Sequence, residues 1–264
     1  MGKSFISFSG GVESTTMCVL FGNKADAIFA DTGFEHKLIY SQIDKVEKWC
    51  QSFHRSDFKI HRITSKYGTL PERIISQSFY PSFTSRYCTR EFKIEPIDVF
   101  LEQYKDEGCE LMIGLNADEQ DRITGGGHGN KKFVNYQYPL AKNGITRNMC
   151  MVILDKAGLN PNYPAYMKRG GCIGCFYKSV KSYEAMALLA PDEFEIVENL
   201  EKEFNNTKRN EDFEGRKEFR KLLGNKNSPS MEQIRILAHQ QLFKPEEVYA
   251  TVNDATICGV FCNR

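Results

Sequence analysis

In the N-terminal part of the chain, short apolar runs alternate with longer amphipathic ones. Ser4 to Phe8 is a β-type run that stops at Gly10-Gly11, and Thr15 to Phe21 then takes up helical spacing. Ala27 to Ala30 is a second apolar strand, closed by Asp31-Thr32-Gly33. Leu38, Ile39, Ile43, Val46 and Trp49 recur at helical spacing over His36 to Phe53. Phe58 to Ile63 alternates like a strand, and Leu111 to Leu115 reads as another, buried one. Strands alternating with helices predict an α/β fold with a parallel sheet. Ligands of such sheets sit beyond the carboxyl ends of the strands, so chemistry is expected at the turns after Phe8, Ala30 and Leu115.

Beyond about residue 145 the pattern becomes helical. Glu184 to Phe204, Phe213 to Leu223, Met231 to Leu242 and Pro245 to Val252 read as helices, with a breaker at Asn225 to Pro229. The expected organisation is an α/β core over 1–145 and a helical C-terminal region over 146–264. With 35 basic and 34 acidic side chains the formal charge is +1, so a nucleic-acid site would have to be a local patch. Arg216, Lys217, Arg220, Lys221 and Lys226 form one such stretch, interleaved with Glu214 and Glu218 as a solvated helix face would be. The 41% hydrophobic content excludes wholesale disorder. The apolar runs are too short for a membrane span and the N-terminus has no signal-like segment, so a cytoplasmic protein with no membrane partner is expected.

The segment Ser7 to Thr16 (SFSGGVESTT) joins the first strand to the first helix. Gly10 and Gly11 let backbone N–H groups face an anion, Ser9 and Ser14 add hydroxyls, and the helix N-terminus favours negative charge. Glu13 beside a phosphate calls for a cation between them, so the loop predicts phosphate with Mg²⁺. No Walker-type GxxxxGK[ST] is present.

This loop resembles the SGGxDS signature of the PP-loop ATP pyrophosphatases, with Glu13 where Asp is usual. Three further segments resemble the PAPS-reductase-like branch: Asp31-Thr32-Gly33, Arg86 to Pro96 (RYCTREFKIEP), and Gly114 to Arg122 (GLNADEQDR). The resemblance implies a Rossmann-like, adenine nucleotide alpha-hydrolase-like core. The nucleotide-binding residues it implies are Ser7, Ser9, Gly10, Gly11, Val12, Glu13, Ser14, Asp31, Thr32, Gly33 and Gly114. Phosphate would lie on Ser9 to Ser14 and adenosine near Asp31 and Gly33. Arg86, Lys93 and Arg122 would supply positive charge to the nucleotide or second substrate.

Nine cysteines without a secretion signal argue against a disulfide framework. Cys18, Cys50 and Cys109 fall in helix or strand patterns as packing residues, and Cys150 reads either way. Cys172 and Cys175 form a C-x-x-C among glycines, which needs further ligands to hold zinc or an iron–sulfur cluster. Cys88 is the natural third ligand, since cluster-bearing sulfonucleotide reductases and DndC-type proteins carry cysteine in the corresponding segment. The resemblance favours a [4Fe–4S] cluster over Zn²⁺, its fourth position being an open iron, Cys258 or Cys262. His128, in a glycine-rich loop, reads as solvated.

These features together lead to an enzyme that adenylates a substrate with ATP, releases pyrophosphate and transfers sulfur. The substrate would be a nucleic acid or a small molecule, and the sulfur donor a protein such as a cysteine desulfurase. The alternative enzyme is a PAPS or APS reductase in which Cys258, followed by Gly259 as in the reductase tail, is the nucleophile. The non-catalytic alternative is a nucleotide- or cluster-sensing subunit.

Overall fold

Five parallel strands form one sheet in the computed structural model, which describes residues 2–124, 131–164, 166–167, 170–206, 222–223 and 228–240. They are β1 (Lys3–Phe8), β2 (Asp26–Asp31), β3 (Ile60–Thr64), β4 (Cys109–Ile113) and β5 (Val134–Gln137), in the order β3-β2-β1-β4-β5. β1 is central, with Ser7 opposite Ile28 on one side and Ile113 on the other. The chain builds outward from β1 to β3, then returns to place β4 on the other side of β1. At that reversal the connections leaving β1 and β4 diverge, which opens a crevice beyond their carboxyl ends.

The strands are apolar because both faces of the sheet are covered. Ile6, Phe8, Phe29 and Met112 pack with Met17 of α1 (Val12–Phe21), Ile43 of α2 (Lys37–Phe53) and Leu154 of α8 (Arg147–Ala157). Phe5, Ile28, Leu111 and Ile113 on the opposite face pack with Ile97 and Leu101 of α5 (Glu95–Leu101). Each fully buried side chain of this kind contributes ~1.5–3 kcal/mol. Cys18, Cys50, Cys109 and Cys150 are buried within these layers. α8 lies beyond residue 145 yet packs on α1, where the Thr16 hydroxyl donates to the Cys150 carbonyl at 3.4 Å.

A third core gathers the remaining helices. Phe92, with Leu70 and Ile74 of α3 (Leu70–Gln77), packs among Tyr183 of α9 (Val180–Leu189), Phe194 and Val197 of α10 (Pro191–Asn205), and Ile234 of the Met231–His239 helix. Short helices α4 (Tyr87–Thr89), α6 (Gln120–Thr124) and α7 (Pro139–Lys142) complete the described α-helices. The single helix expected over Glu184 to Phe204 is two, because Ala190 leaves helical geometry (φ −146°) and Pro191 opens α10. Proline has no N–H to continue the preceding helix and suits the first turn of a new one. The helices expected over Phe213 to Leu223 and Pro245 to Val252, and the basic residues Arg216, Lys217, Arg220, Lys221 and Lys226, fall outside the described residues apart from Leu222 and Leu223. Among the described residues no helix is long and apolar enough to cross a membrane.

Candidate active site

The glycine loop lies where the sheet topology opens. Gly10 has φ +72°, a conformation that glycine adopts without strain, and it turns the chain from β1 into α1. Gly11 caps α1 with no side-chain hydrogen bond, so it leaves the first helical N–H groups to another acceptor. Ser14 pins the loop internally: its Oγ accepts from the Ser9 N–H at 3.2 Å and lies 3.2 Å from the Ser9 hydroxyl. Tyr163 holds the outer side, its hydroxyl donating to the Gly10 carbonyl at 3.2 Å. Gly114 brings the end of β4 against the loop, since a Cβ there would stand 3.3 Å from the backbone of Glu13 and Ser14.

The named loop residues do not all present side chains to this cradle. Val12 is buried in the core, so only its backbone faces the loop. Ser7 is buried in β1, and its hydroxyl has no hydrogen-bond partner among the described residues. Glu13 Oε1 accepts from Asn116 Nδ2 at 3.3 Å and forms an ion pair with Arg147. Arg147 thus brings one cation to Glu13 from within the fold. Arg147 is fixed at the start of α8, where its backbone N–H donates to Asp118 Oδ2 at 3.0 Å. Arg122 pairs with Glu119, whose other carboxylate oxygen accepts from the Asn116 N–H at 3.3 Å, so the segment after β4 is tied to the same corner.

The turn after β2 connects the loop's end of the sheet to the cysteines. Asp31 Oδ1 accepts from the Gly33 N–H and the Tyr40 hydroxyl, both at 2.8 Å. The Thr32 hydroxyl donates to Glu35 Oε1 at 3.1 Å and lies 3.5 Å from Cys172 Sγ. Glu35 and Cys172 pair as an isolated antiparallel bridge, in which the His36 N–H donates to the Gly171 carbonyl and the Ile173 N–H to the Phe34 carbonyl. The Cys172 thiol also donates to Glu35 Oε1 at 3.5 Å, and Lys93 Nζ stands 3.8 Å from that oxygen.

Cys88 joins this group from α4. A π turn over Arg90–Ile94, closed by the Glu95 N–H on the Arg90 carbonyl, follows α4, carries Lys93 and continues into α5. Such wide turns inside α-helices are frequent at functional sites. Burial pushes the Cys88 thiol up to about 11, with a further contribution from neighbouring Cys175. Cys172 is raised by burial, then by Glu35, against the pull of Lys93. Lys178 Nζ donates to the Cys172 carbonyl at 3.2 Å, and burial lowers its pKa. Arg86 NH1 donates to the Tyr177 hydroxyl at 3.1 Å, beside the same loop. Among the described residues no group of three or more His, Cys, Asp or Glu side chains is placed to hold one metal ion. Cys258, Cys262, Arg169 and His128 lie outside the described residues.

The structure brings Cys88, Cys172, Lys93 and the Asp31–Gly33 turn, all named from the sequence, into one neighbourhood, and adds Glu35, Asn116, Arg147, Tyr163 and Lys178, which the sequence did not single out. Glu35 had a signal, an acid two residues after the turn. Arg147 had none, because its link to Glu13 spans the fold.

No family model matches the chain. A protein of uncharacterised function from Methanocaldococcus jannaschii is 21% identical over 215 residues, covering 75% of this chain and 41% of its own length. The chain therefore spans about two-fifths of the curated relative it matches. Among solved structures, PAPS reductase from Candida auris in a phosphate complex has a TM-score of 0.44 and 12% identity, covering 60% of this chain and 74% of that one. The U34-tRNA thiolase NcsA from Methanococcus maripaludis, solved with its [4Fe–4S] cluster, has a TM-score of 0.44 and 18% identity, covering 89% and 80%. The five-stranded parallel sheet covered by helices on both faces is the α/β fold that the sequence pattern predicts. Its glycine loop occupies the turn between β1 and α1, at the strand-order reversal.

Proposed function

We propose that this chain is a nucleotide-dependent sulfur-transfer enzyme that uses ATP to adenylate its substrate. The observation that carries the reading is the contact between Thr32 and Cys172, 3.5 Å apart, which joins the turn expected to meet adenosine to the cysteine loop. A thiol-bearing loop fixed against a nucleotide turn suits chemistry in which an activated substrate and a sulfur meet. The ATP phosphates would lie on the N–H groups of Gly10 to Ser14, and Ser9 and Ser14 would add hydroxyls. A substrate oxygen attacks the α-phosphorus, the bond to the β-phosphate oxygen breaks, and pyrophosphate leaves with its electron pair. Loop N–H groups, the α1 N-terminus and Arg147 stabilise that developing charge. A sulfur nucleophile then displaces AMP from the substrate.

Mg²⁺ would accompany the ATP phosphates, but Glu13 already has Arg147, so no step here depends on a Glu13–metal bond. Cys88, Cys172 and Cys175 are donors of the right softness for a [4Fe–4S] cluster or zinc, with Lys93 and Lys178 nearby to offset thiolate charge. Closing a site would take rotation of these side chains or a further ligand such as Cys258 or Cys262. A cluster, when bound, would supply a place to hold inorganic sulfur.

Nucleotide identity tests this reading. At ligand concentrations ~100-fold above Kd, a specific nucleotide stabilises the fold by about 2.7 kcal/mol. ATP with Mg²⁺ is expected to raise Tm, and PAPS and APS to leave it unchanged. A rise with PAPS or APS alone, accompanied by sulfite release that Cys258→Ser abolishes, would replace adenylation with sulfonucleotide reduction.

A further inference from the structure

The surface around the cysteine loop differs in character from the rest of the chain. Residues 79–93 and 171–183 carry five cations in a chain of net charge +1; Lys178 turns inward to the Cys172 carbonyl and Lys93 to Glu35, while exposed Arg90 and half-buried Arg86 and Lys181 lie toward the surface. The same two segments bring aromatic rings together. Phe83 meets Phe176 at 5.3 Å and Tyr177 at 4.7 Å, both edge-on, while Phe176 and Tyr177 lie 4.4 Å apart. Phe176 is buried, whereas Phe83 is 61% exposed and neighbouring Phe79 is 41% exposed. The exposed ring is therefore held from below by other rings while much of it faces solvent. Arg86 fixes the Tyr177 hydroxyl, and Arg90, mostly exposed, is held by Glu91 and Glu95. The hydroxyls of Ser82 and Thr84, 3.2 Å apart, flank Phe83.

A flat ligand with a π face and a polyanionic backbone matches this surface on both counts. Aromatic rings and arginine planes take unstacked bases, and clustered cations take the phosphates that connect them. A duplex keeps its bases stacked and out of reach, whereas RNA loops display them. The paired hydroxyls beside Phe83 are suited to a ribose 2′-hydroxyl.

We propose that Phe83, backed by Phe176 and Tyr177 and flanked by Arg86 and Arg90, is a stacking platform for an unpaired base of a single-stranded RNA loop. Arg86 precedes Cys88 by two residues and Phe176 directly follows Cys175, so a base on the platform stands beside the cysteines. The proposal names the substrate class of the sulfur-transfer site and rests on that reading for what is done to the base. Binding itself does not depend on that reading.

The test is fluorescence anisotropy on the full, anaerobically isolated chain without nucleotide. Its probes are a labelled RNA hairpin with a mixed-sequence loop, the blunt RNA duplex of the same stem, and the DNA hairpin of the same sequence. The RNA hairpin is expected to bind in a salt-sensitive way, the duplex and the DNA hairpin at least about tenfold more weakly. Phe83→Ala should weaken hairpin binding by roughly five- to a hundredfold, the effect of losing one base–ring stack. Phe83→Trp should retain it, and Phe53→Ala, which removes an exposed ring on α2, should not alter it. Equal binding of the duplex or of the DNA hairpin, or full binding by Phe83→Ala, would overturn the platform. The Tm response to Mg·ATP, read on the same variants, separates the two proposals. A normal ATP response without RNA binding overturns only the platform, and RNA binding lost with Phe83 but without an ATP response supports it while contradicting adenylation.

Discussion

Glu13 carries a carboxylate into a loop shaped for phosphate, and Arg147 answers that charge from the first turn of α8. If the pair works as a unit, Glu13 aims the guanidinium at the nucleotide and neither residue acts fully without the other. Glu13→Gln and Arg147→Ala should each weaken Mg·ATP binding in calorimetric titration. The double variant should lose less than the sum, by a coupling of about 0.5–3 kcal/mol. Additive losses would mean that Glu13 meets a different cation in the complex, the Mg²⁺ that the sequence alone suggests. The difference between the two expectations shows what single residues disclose. Ser9 and Ser14 are legible because they partner each other five positions apart, so local spacing encodes the geometry. Arg147 reaches Glu13 across 134 positions, and only the meeting of α8 with α1 brings them together.

Elements were legible where burial is two-sided or the amphipathic face is long. β1, β2 and α2 fall where their apolar patterns put them. β5 and α3 did not stand out, because an edge strand of four residues and a helix of eight leave little periodicity to read. The junction of α2 with α10 was equally hidden. His36 caps α2 by accepting the Leu38 N–H at its Nδ1, which leaves the proton on Nε2, 2.5 Å from Glu193 Oε2. The Tyr166 hydroxyl donates to the same oxygen at 2.9 Å. Burial, then Lys178, hold His36 below its ordinary 6.5 despite the attraction of Glu193. Burial would raise the Glu193 carboxyl, but hydrogen bonds from Lys37 and Tyr166 prevail and lower it below 4.5. In both cases the unfolded chain takes up its proton at higher pH than the folded one. The junction's contribution is therefore fully present above about pH 6.5 and declines as acid protonates the unfolded His36, then Glu193. Urea unfolding between pH 7 and 4 should show this fall, with a shallower slope near pH 6 in His36→Gln. An identical slope in that variant would remove His36 from the account.

At the scale of the whole molecule, the sheet reversal places the glycine loop and the Asp31–Gly33 turn at the same end of the sheet, and the helical C-terminal part delivers Cys172 to that turn. The sequence made the glycine loop and the turn after β2 legible through contiguous motifs. The meeting of Cys88 with Cys175 depends on a resemblance, since no local pattern joins residues so far apart. If the thiols hold a cluster, anaerobically isolated protein should contain roughly four irons per chain, lost in Cys172→Ser and Cys175→Ser. Stoichiometric zinc would assign the same thiols to a different metal.

The central claim is that nucleotide and cysteines share one site. Alkylation of Cys172 and Cys175 in metal-free, reduced protein, followed by mass spectrometry, tests it most directly. Mg·ATP at ~100-fold above its Kd should slow modification of both thiols markedly, because the nucleotide would cover the Thr32–Cys172 contact. Unchanged alkylation at both cysteines, in a sample whose raised Tm proves that ATP is bound, would contradict it.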